Sequence, residues 1–122
     1  MSRLSPILTE HLMEPRNSGV LPSNTAVEGR GENPACGDVL VIYLDRTKDG
    51  TIEAAFQARG CSAVIAVASM VTGAAHGGTP AAAAALSVKE MVEEAGGLDR
   101  MQSHAVRVVK RALGEALGRL GS

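Results

Sequence analysis

The sequence predicts an α+β fold in which a β-hairpin precedes a series of helices. The run from Asp38 to Asp45 is apolar at alternating positions on both of its faces, which predicts a strand covered on both sides. Lys48, Asp49 and Gly50 are typical of a hairpin turn, so residues 51–57 are predicted to form the returning strand. Beyond residue 61, the apolar residues recur at helical spacing.

The segment before the hairpin is predicted to contain one helix, a surface connection and an edge strand. Residues 5–14 form an amphipathic pattern, with Pro6 in its first turn and Pro15 after its end. Residues 16–24 contain asparagine, glycine and proline, which favour a surface connection. Residues 25–31 are predicted to be a short edge strand.

Four helical segments are predicted after the hairpin. Residues 62–72 form a mostly buried helix, Thr79 and Pro80 begin the next one, and residues 87–90 have the spacing of a capping box. A long last helix is predicted from about residue 99 to residue 120. Gly114 and Gly118 within it cost about 1 kcal/mol each relative to alanine, unless a close neighbour needs the space.

Composition limits the classes of function. The 122 residues are predicted to form a single domain, 1–122. A net charge of −1 and only two aromatic residues argue against nucleic acid as a partner. The longest uncharged stretch, between Arg59 and Lys89, is interrupted by residues 76–80, so no membrane span is predicted, and the start of the chain does not resemble a signal peptide. A cytoplasmic location follows as the default.

The two cysteines are the main candidates for chemistry. Cys36 precedes the first strand of the hairpin and Cys61 follows the second, so the topology predicts that they are neighbours in space. In a reducing compartment, such a pair is more often buried, metal-binding or catalytic than a disulfide. Cys61 would open a helix, whose dipole and free N–H groups favour the thiolate.

Several polar residues could complete a metal site with these thiolates. Asp38 is two residues from Cys36, and His104 and His11 are further candidates. Cysteine, aspartate and histidine together suit iron, zinc or an iron–sulfur cluster. The residue types also permit other roles: a buried apolar role for the cysteines, a turn cap for Asp38, a surface helix position for His104, a structural role for His11, and a solvated loop position for His76.

Three motifs in the chain occur in the order and spacing of one known family. They are HLMEPRNSG at residues 11–19, NPACGD at 33–38, and residues 56–72, which include GCSA. Over nearly its whole length, the chain resembles the IscU/NifU-type iron–sulfur cluster assembly scaffolds, which share a NifU-like N-terminal domain. Any one motif is weak evidence, whereas the three together are specific.

The resemblance implies a fold, a cargo and a set of partners. The fold would be a three-stranded antiparallel sheet with helices packed on it and a long C-terminal helix, as in SufE/NifU-like proteins. Cys36 and Cys61 would bind iron, a labile [2Fe–2S] cluster or zinc, and Asp38 would be the carboxylate that keeps the cluster transferable. A cysteine desulfurase would supply sulfur and apo iron–sulfur proteins would receive the cluster, so the chain would be a scaffold and not an enzyme.

The chain departs from the family pattern around its last helix. Ala105 follows His104 where the family has its third cysteine, and Gln102 stands where IscU-type members have lysine. The segment 98–102 replaces the sequence that an ATP-driven chaperone recognises, so no chaperone partner is expected. The predicted metal ligands are therefore Cys36, Asp38, Cys61 and His104. Four mixed ligands can hold zinc or ferrous iron, and histidine can replace cysteine on a two-iron cluster.

Three functional hypotheses follow from these observations. The first is a scaffold or carrier for iron or an iron–sulfur cluster, anchored by Cys36 and Cys61. The second is a non-assembling adaptor that binds a desulfurase or a client protein. The third is a sulfur-relay protein that accepts persulfide sulfur on Cys61.

Overall fold

The computed structural model describes residues 4–121, which form a three-stranded antiparallel sheet and five helices. The strand order is β1-β2-β3, so the chain passes from each strand to its neighbour through a hairpin. This arrangement confirms the predicted α+β class. In chain order the elements are α1 (Pro6–Met13), β1 (Val27–Asn33), β2 (Asp38–Arg46), β3 (Ile52–Arg59), α2 (Ser62–Ala75), α3 (Pro80–Ala84), α4 (Val88–Glu94) and α5 (His104–Leu120).

The central strand β2 is covered on one face only, so the prediction of cover on both sides is wrong. Leu40, Ile42 and Leu44 are fully buried in the core that α2 and α5 form with the sheet. The alternate residues Val39 and Tyr43 remain partly exposed on the other face. No helix among the described residues packs there, because both long helices cross the same side of the sheet. An apolar run therefore does not by itself distinguish a two-sided from a one-sided strand.

Glycines on β1 allow α5 to lie directly against the sheet. A β-carbon at Gly29 would overlap the carbonyl oxygen of Ala112, and one at Gly31 would overlap that of Val108. The sheet thus approaches the backbone of α5, which fixes the position of that helix. By contrast, Gly114 has open space around it, as does Gly118, so neither glycine of α5 is explained by a close neighbour.

Three of the predicted helix starts, those of α1, α3 and α4, are confirmed by their caps. The hydroxyl of Ser5 accepts a hydrogen bond from the Leu8 N–H group at the start of α1. Thr79 caps α3 in the same way, and Ser87 caps α4. Each hydroxyl satisfies one of the N–H groups that a helix start leaves without an intrahelical partner.

The last helix begins at His104 and not near residue 99, as the sequence pattern predicts. The carboxylate of Asp99 accepts the Gln102 N–H group at 3.0 Å, and the Asp99 carbonyl accepts the same N–H at 3.1 Å. These bonds hold residues 99–102 in a separate turn. The turn exposes Met101 and buries Gln102 beside the start of α5.

Loops cover the outer edge of β3, which the sequence did not reveal. The Phe56 N–H group donates to the Asn17 carbonyl and the Phe56 carbonyl accepts from the Gly19 N–H, both at 2.8 Å. Further along, Nδ1 of His76 accepts the Ala54 N–H at 3.0 Å, so this exposed histidine also pairs with the edge. Such pairing protects an edge strand from other chains.

Among the described residues 4–121, every helix is too short or too polar to cross a bilayer.

Candidate metal centre

The hairpins bring both cysteines to one cavity at an end of the sheet. Cys36 lies in the turn between β1 and β2, and Cys61 follows β3 as the N-cap of α2. The cavity has a volume of about 410 Å³ and lies between these turns, α1 and the start of α5. The two cysteines therefore share one cavity, as the hairpin topology predicts. Its lining residues are Leu4, Thr9, Leu12, Cys36, Cys61, Ser62, Met101, Gln102 and His104.

Asp38 is a buried carboxylate held in place by backbone. It is the first residue of β2 and is only 1% exposed. Its Oδ1 accepts the Cys61 N–H group at 2.7 Å. The residue before that N–H is Gly60, whose φ is +118° and whose position leaves no space for a β-carbon against Oδ1. The glycine beside Cys61 therefore lets the two turns approach closely enough to fix Asp38.

His104 faces the other oxygen of this carboxylate. Its Nε2 lies 2.8 Å from Asp38 Oδ2, and its side chain is 14% exposed. The separation is that of an ion pair, and neither atom has a hydrogen bond to any further group among the described residues. Buried polar atoms are normally paired. A metal ion bound by both atoms would be a partner for each of them.

Cys36 completes a group of three possible metal ligands. Its Sγ, a carboxylate oxygen of Asp38 and a ring nitrogen of His104 all lie within 4.8 Å of one another. Ligand atoms about 2.0–2.3 Å from one zinc ion are separated by distances of this order. A sulfur, an oxygen and a nitrogen ligand suit zinc or iron better than calcium or magnesium. The residues present therefore fit a transition-metal ion.

The thiol of Cys61 is outside this tight group. Its backbone N–H group holds Asp38, its side chain lines the same cavity, and its sulfur makes no capping hydrogen bond to α2. Cys36 is exposed, whereas Cys61 is half-buried, and both are free thiols. The structure thus brings together three of the four predicted ligands. Ligation by Cys61 remains a prediction.

Gln102 and an apolar rim are parts of the site that were not predicted as functional. Gln102 is 7% exposed, and its Oε1 has no hydrogen-bond partner among the described residues. At the mouth of the cavity lie Leu4, Leu12 and Met101, the last of which is 79% exposed. The only sequence signal for Gln102 was its place two residues before His104, where the motif pattern has a lysine.

His11 has a structural role, as one of the two interpretations of it predicted. Its Nδ1 lies 2.8 Å from the hydroxyl of the buried residue Ser69, which also accepts the Arg16 N–H at 2.8 Å. Burial and the adjacent Arg16 guanidinium lower the pKa of His11 and favour the neutral ring. His11 therefore ties α1 to α2 and is not part of the ligand group.

A family model described as "NifU-like N terminal domain" matches residues 5–120. The chain belongs to this NifU-like family. Among its relatives, the iron–sulfur cluster assembly scaffold protein IscU 1 of Archaeoglobus fulgidus is 37% identical over 109 residues, which are 88% of this chain and 70% of the relative. The zinc-dependent sulfurtransferase SufU of Bacillus subtilis is 37% identical over 71 residues, which are 58% of this chain and 47% of that protein.

The family's fold is also found in this chain. The crystal structure of FiSufU from Fervidobacterium islandicum AW-1 superimposes with a TM-score of 0.72, covering 93% of this chain and 95% of the other. The two sequences are only 16% identical, so this likeness concerns the fold alone. Together with the family match, it confirms the SufE/NifU-like α+β architecture.

Proposed function

We propose that this chain is an iron–sulfur cluster assembly scaffold or carrier, and that its cavity holds iron, a labile [2Fe–2S] cluster or zinc. The observation that carries the proposal is the convergence of Cys36, Asp38 and His104, whose ligand atoms lie within 4.8 Å of one another. Membership of the NifU-like family and the naming of relatives as assembly scaffolds support it. In this proposal Cys61 is the fourth ligand, and the chain acts as a scaffold and not as an enzyme.

The ligand geometry favours reversible binding of the cargo. Asp38 is buried and held by the Cys61 N–H group, and His104 is mostly buried, whereas Cys36 lies on an exposed turn beside Gly37, which has a φ of +72°. The position of the family's third cysteine is occupied by Ala105, which is fully buried and offers no ligand atom. Oxygen and nitrogen ligands bind a soft metal less tightly than a thiolate does. A site of this kind can release what it binds.

The mouth of the cavity suits a protein partner. The exposed side chain of Met101 and the partly exposed Leu4 and Leu12 surround the opening with apolar surface. Apolar surface at a rim is typical of interaction sites. We propose that a cysteine desulfurase docks there to deliver sulfur, and that apo iron–sulfur proteins use the same opening to receive the cluster. The match over residues 5–120 supports the assignment of 1–122 to one domain.

Anaerobic reconstitution tests the scaffold proposal. The wild-type protein, incubated with ferrous iron and sulfide, is expected to show the visible absorption of a cluster, and Cys36→Ser or His104→Ala is expected to abolish it. Ala35→Ser and His76→Asn are matched controls, since neither residue belongs to the ligand group. Retention of the full absorption by Cys36→Ser and His104→Ala would contradict the proposed site.

A sulfur relay is the second candidate function. It is favoured by the position of the Cys61 thiol, which lies at the cavity but outside the three-ligand group, and by the relative named as a zinc-dependent sulfurtransferase. The Cys61 thiolate would attack the terminal sulfur of a desulfurase persulfide. A new S–S bond forms on Cys61, the desulfurase S–S bond breaks, and the desulfurase cysteine leaves as a thiolate, with no further oxidant or reductant.

Mass spectrometry after incubation with a cysteine desulfurase and free cysteine distinguishes the two functions. A relay predicts one added sulfur atom on the Cys61 peptide, removed by a reductant. An unmodified Cys61 in a protein that assembles a cluster supports the scaffold alone. A non-assembling adaptor instead predicts that Cys36→Ala and Cys61→Ala leave desulfurase binding and the cellular phenotype unchanged.

A further inference from the structure

Gln102 is a buried amide on the wall of the metal-binding cavity. Its side chain is more than nine-tenths buried, and it lines the cavity together with Cys36 and His104. Its Oε1 accepts no hydrogen bond from the described residues. The Gln102 backbone is fixed by the Asp99 turn, so the side chain is held beside the first residue of α5.

The unpaired oxygen is not an isolated defect in the fold. Three buried side-chain atoms within residues 4–121 have no hydrogen bond: Asp38 Oδ2 and His104 Nε2, which lie 2.8 Å from each other, and Gln102 Oε1, which has no partner of either kind. All three belong to residues at one end of the sheet, and the first two face each other in the ligand group. The rest of the described chain satisfies its buried side chains. The buried atoms without a hydrogen bond therefore all belong to residues that form or border the proposed metal site.

A buried carbonyl oxygen without a partner lowers the stability of the folded state. Leucine has nearly the same volume as glutamine and would avoid this cost. The cost is recovered if the oxygen has a partner when the site is loaded. An amide oxygen carries lone pairs and no proton, so its partner must be a cation or a hydrogen-bond donor.

We propose that the Gln102 carboxamide oxygen is an additional ligand of the metal held by Cys36, Asp38 and His104. The inference rests on the proposed metal-binding function. Gln102 and Ala105 are three residues apart across the start of α5 and are both buried. Ala105 has no donor atom, so Gln102 supplies an oxygen at the end of the helix where the family pattern has a thiolate.

Zinc titration of the full-length protein, in competition with a chromophoric chelator, tests this assignment. Gln102→Leu removes the oxygen and keeps the volume. It is expected to weaken zinc binding by about tenfold or more, while the melting temperature of the metal-free protein stays the same or rises. Gln57→Leu is the matched control, because Gln57 is an exposed glutamine on the outer face of the sheet. It is expected to bind zinc like the wild type.

Gln102→Glu is a second test, which does not depend on whether Gln102→Leu folds normally. Gln102→Glu places a carboxylate at the same position, so the metal-free protein is expected to melt at a lower temperature. Zinc is expected to raise the melting temperature of this variant by more than it raises that of the wild type. Wild-type zinc affinity in Gln102→Leu, or an unchanged zinc-induced shift in Gln102→Glu, would overturn the assignment.

The same titration separates this inference from the proposed site itself. If Cys36→Ser and His104→Ala lose zinc but Gln102→Leu does not, only the role of Gln102 is wrong. If Cys36→Ser and His104→Ala bind zinc as the wild type does, the proposed site is wrong. The X-ray absorption spectrum of zinc in Gln102→Leu gives a readout independent of affinity, since the loss of an oxygen ligand changes the metal–oxygen shell.

Discussion

Strand β2 has a buried aspartate near each end, and the two are held in different ways. At one end, Oδ1 of Asp45 accepts the Thr25 hydroxyl at 2.7 Å and the Arg46 N–H at 3.0 Å, and Oδ2 accepts the Ser23 hydroxyl. At the other end, Asp38 has one backbone donor on Oδ1 and none on Oδ2.

This difference distinguishes a carboxylate whose two oxygens are both occupied from the carboxylate of the proposed metal site. The oxygens of Asp45 are both occupied by donors of the protein, so nothing is left to bind a ligand. Asp38 has one oxygen committed to fixing the side chain and one directed at His104 beside the Cys36 thiol. The two residues share their type and their strand, whereas their hydrogen-bond donors differ and only Asp38 has Cys36 and His104 beside it.

The largest expected effect is the loss of metal binding when Asp38 alone is changed. Asp38→Asn removes the negative charge of the side chain and replaces one carboxylate oxygen by an amide nitrogen. The affinity for zinc is therefore expected to fall by about 100-fold or more. Asp45→Asn is expected to retain zinc affinity and to lower the melting temperature, because it disturbs the hydroxyl network. Chelator competition measures the first effect and thermal unfolding the second. Equal zinc affinities in Asp38→Asn and Asp45→Asn would show that the two aspartates do not differ in metal binding.

Removal of the metal is a second test of the difference between Asp38 and Asp45. A ligand present at 100 times its dissociation constant stabilises the folded state by about 2.7 kcal/mol. A chelator is therefore expected to lower the melting temperature of the wild type and of Asp45→Asn by similar amounts. It is expected to leave Asp38→Asn nearly unchanged. A chelator effect of the wild-type size in Asp38→Asn would show that the metal binds elsewhere.

Two glycines at opposite ends of β3 differ in their distance from Asp38. Gly60 and Gly50 follow and precede β3 at its opposite ends, and both have a positive φ, +118° and +85°. Alanine at either position is expected to cost about 1–2 kcal/mol of stability because of the backbone conformation. Only at Gly60 would the new β-carbon displace Asp38, so Gly60→Ala is also expected to weaken zinc binding about tenfold. Equal zinc affinities in Gly60→Ala and Gly50→Ala would contradict this expectation.

The smallest expected effect is a loss of folding stability in acid, caused by Asp45 and Asp49 near the turn between β2 and β3. Hydrogen bonds from Ser23 and then Thr25 lower the pKa of Asp45, and those from Thr47 and Thr51 lower the pKa of Asp49 from 3.8 to about 2. Because the folded-state pKa values are lowered, the unfolded state binds more protons below pH 4. The stabilisation is therefore complete above about pH 4 and is lost as the pH falls through the folded-state pKa values.

Urea unfolding between pH 5 and pH 2 measures this loss. Thr47→Val removes the strongest hydrogen bond to Asp49, so the fall in stability with acid is expected to be shallower than in the wild type. Glu53→Gln, an exposed substitution on the same hairpin, is the control and is expected to behave like the wild type. If the free energy of unfolding of Thr47→Val falls with acid as steeply as that of the wild type, Asp49 does not contribute to the acid dependence of stability.

The parts of the fold that depend on local chemistry were predictable from the sequence. The turn at Gly50, the capping hydroxyls of Ser5, Thr79 and Ser87, and the proline after α1 act through neighbours a few residues away. Hairpin topology then placed Cys36 and Cys61 at one cavity without any knowledge of packing. These features explain why the predicted fold class and the β2–β3 hairpin were confirmed.

The parts that depend on packing between distant segments were not predictable. His104 meets Asp38 only because Gly29 and Gly31 let α5 lie against β1, and neither glycine signals this in the local sequence. The turn at Asp99 shortened the last helix through a side-chain bond that a helical pattern does not show. The unpaired oxygen of Gln102 depends on the same turn.

X-ray absorption at the zinc edge of the loaded protein shows directly which atoms bind the metal. We expect a mixed shell with sulfur at about 2.3 Å and nitrogen or oxygen at about 2.0–2.2 Å, and a sulfur contribution that decreases in Cys36→Ser. A shell without sulfur, or a spectrum that Cys36→Ser, Asp38→Asn and His104→Ala all leave unchanged, would contradict it.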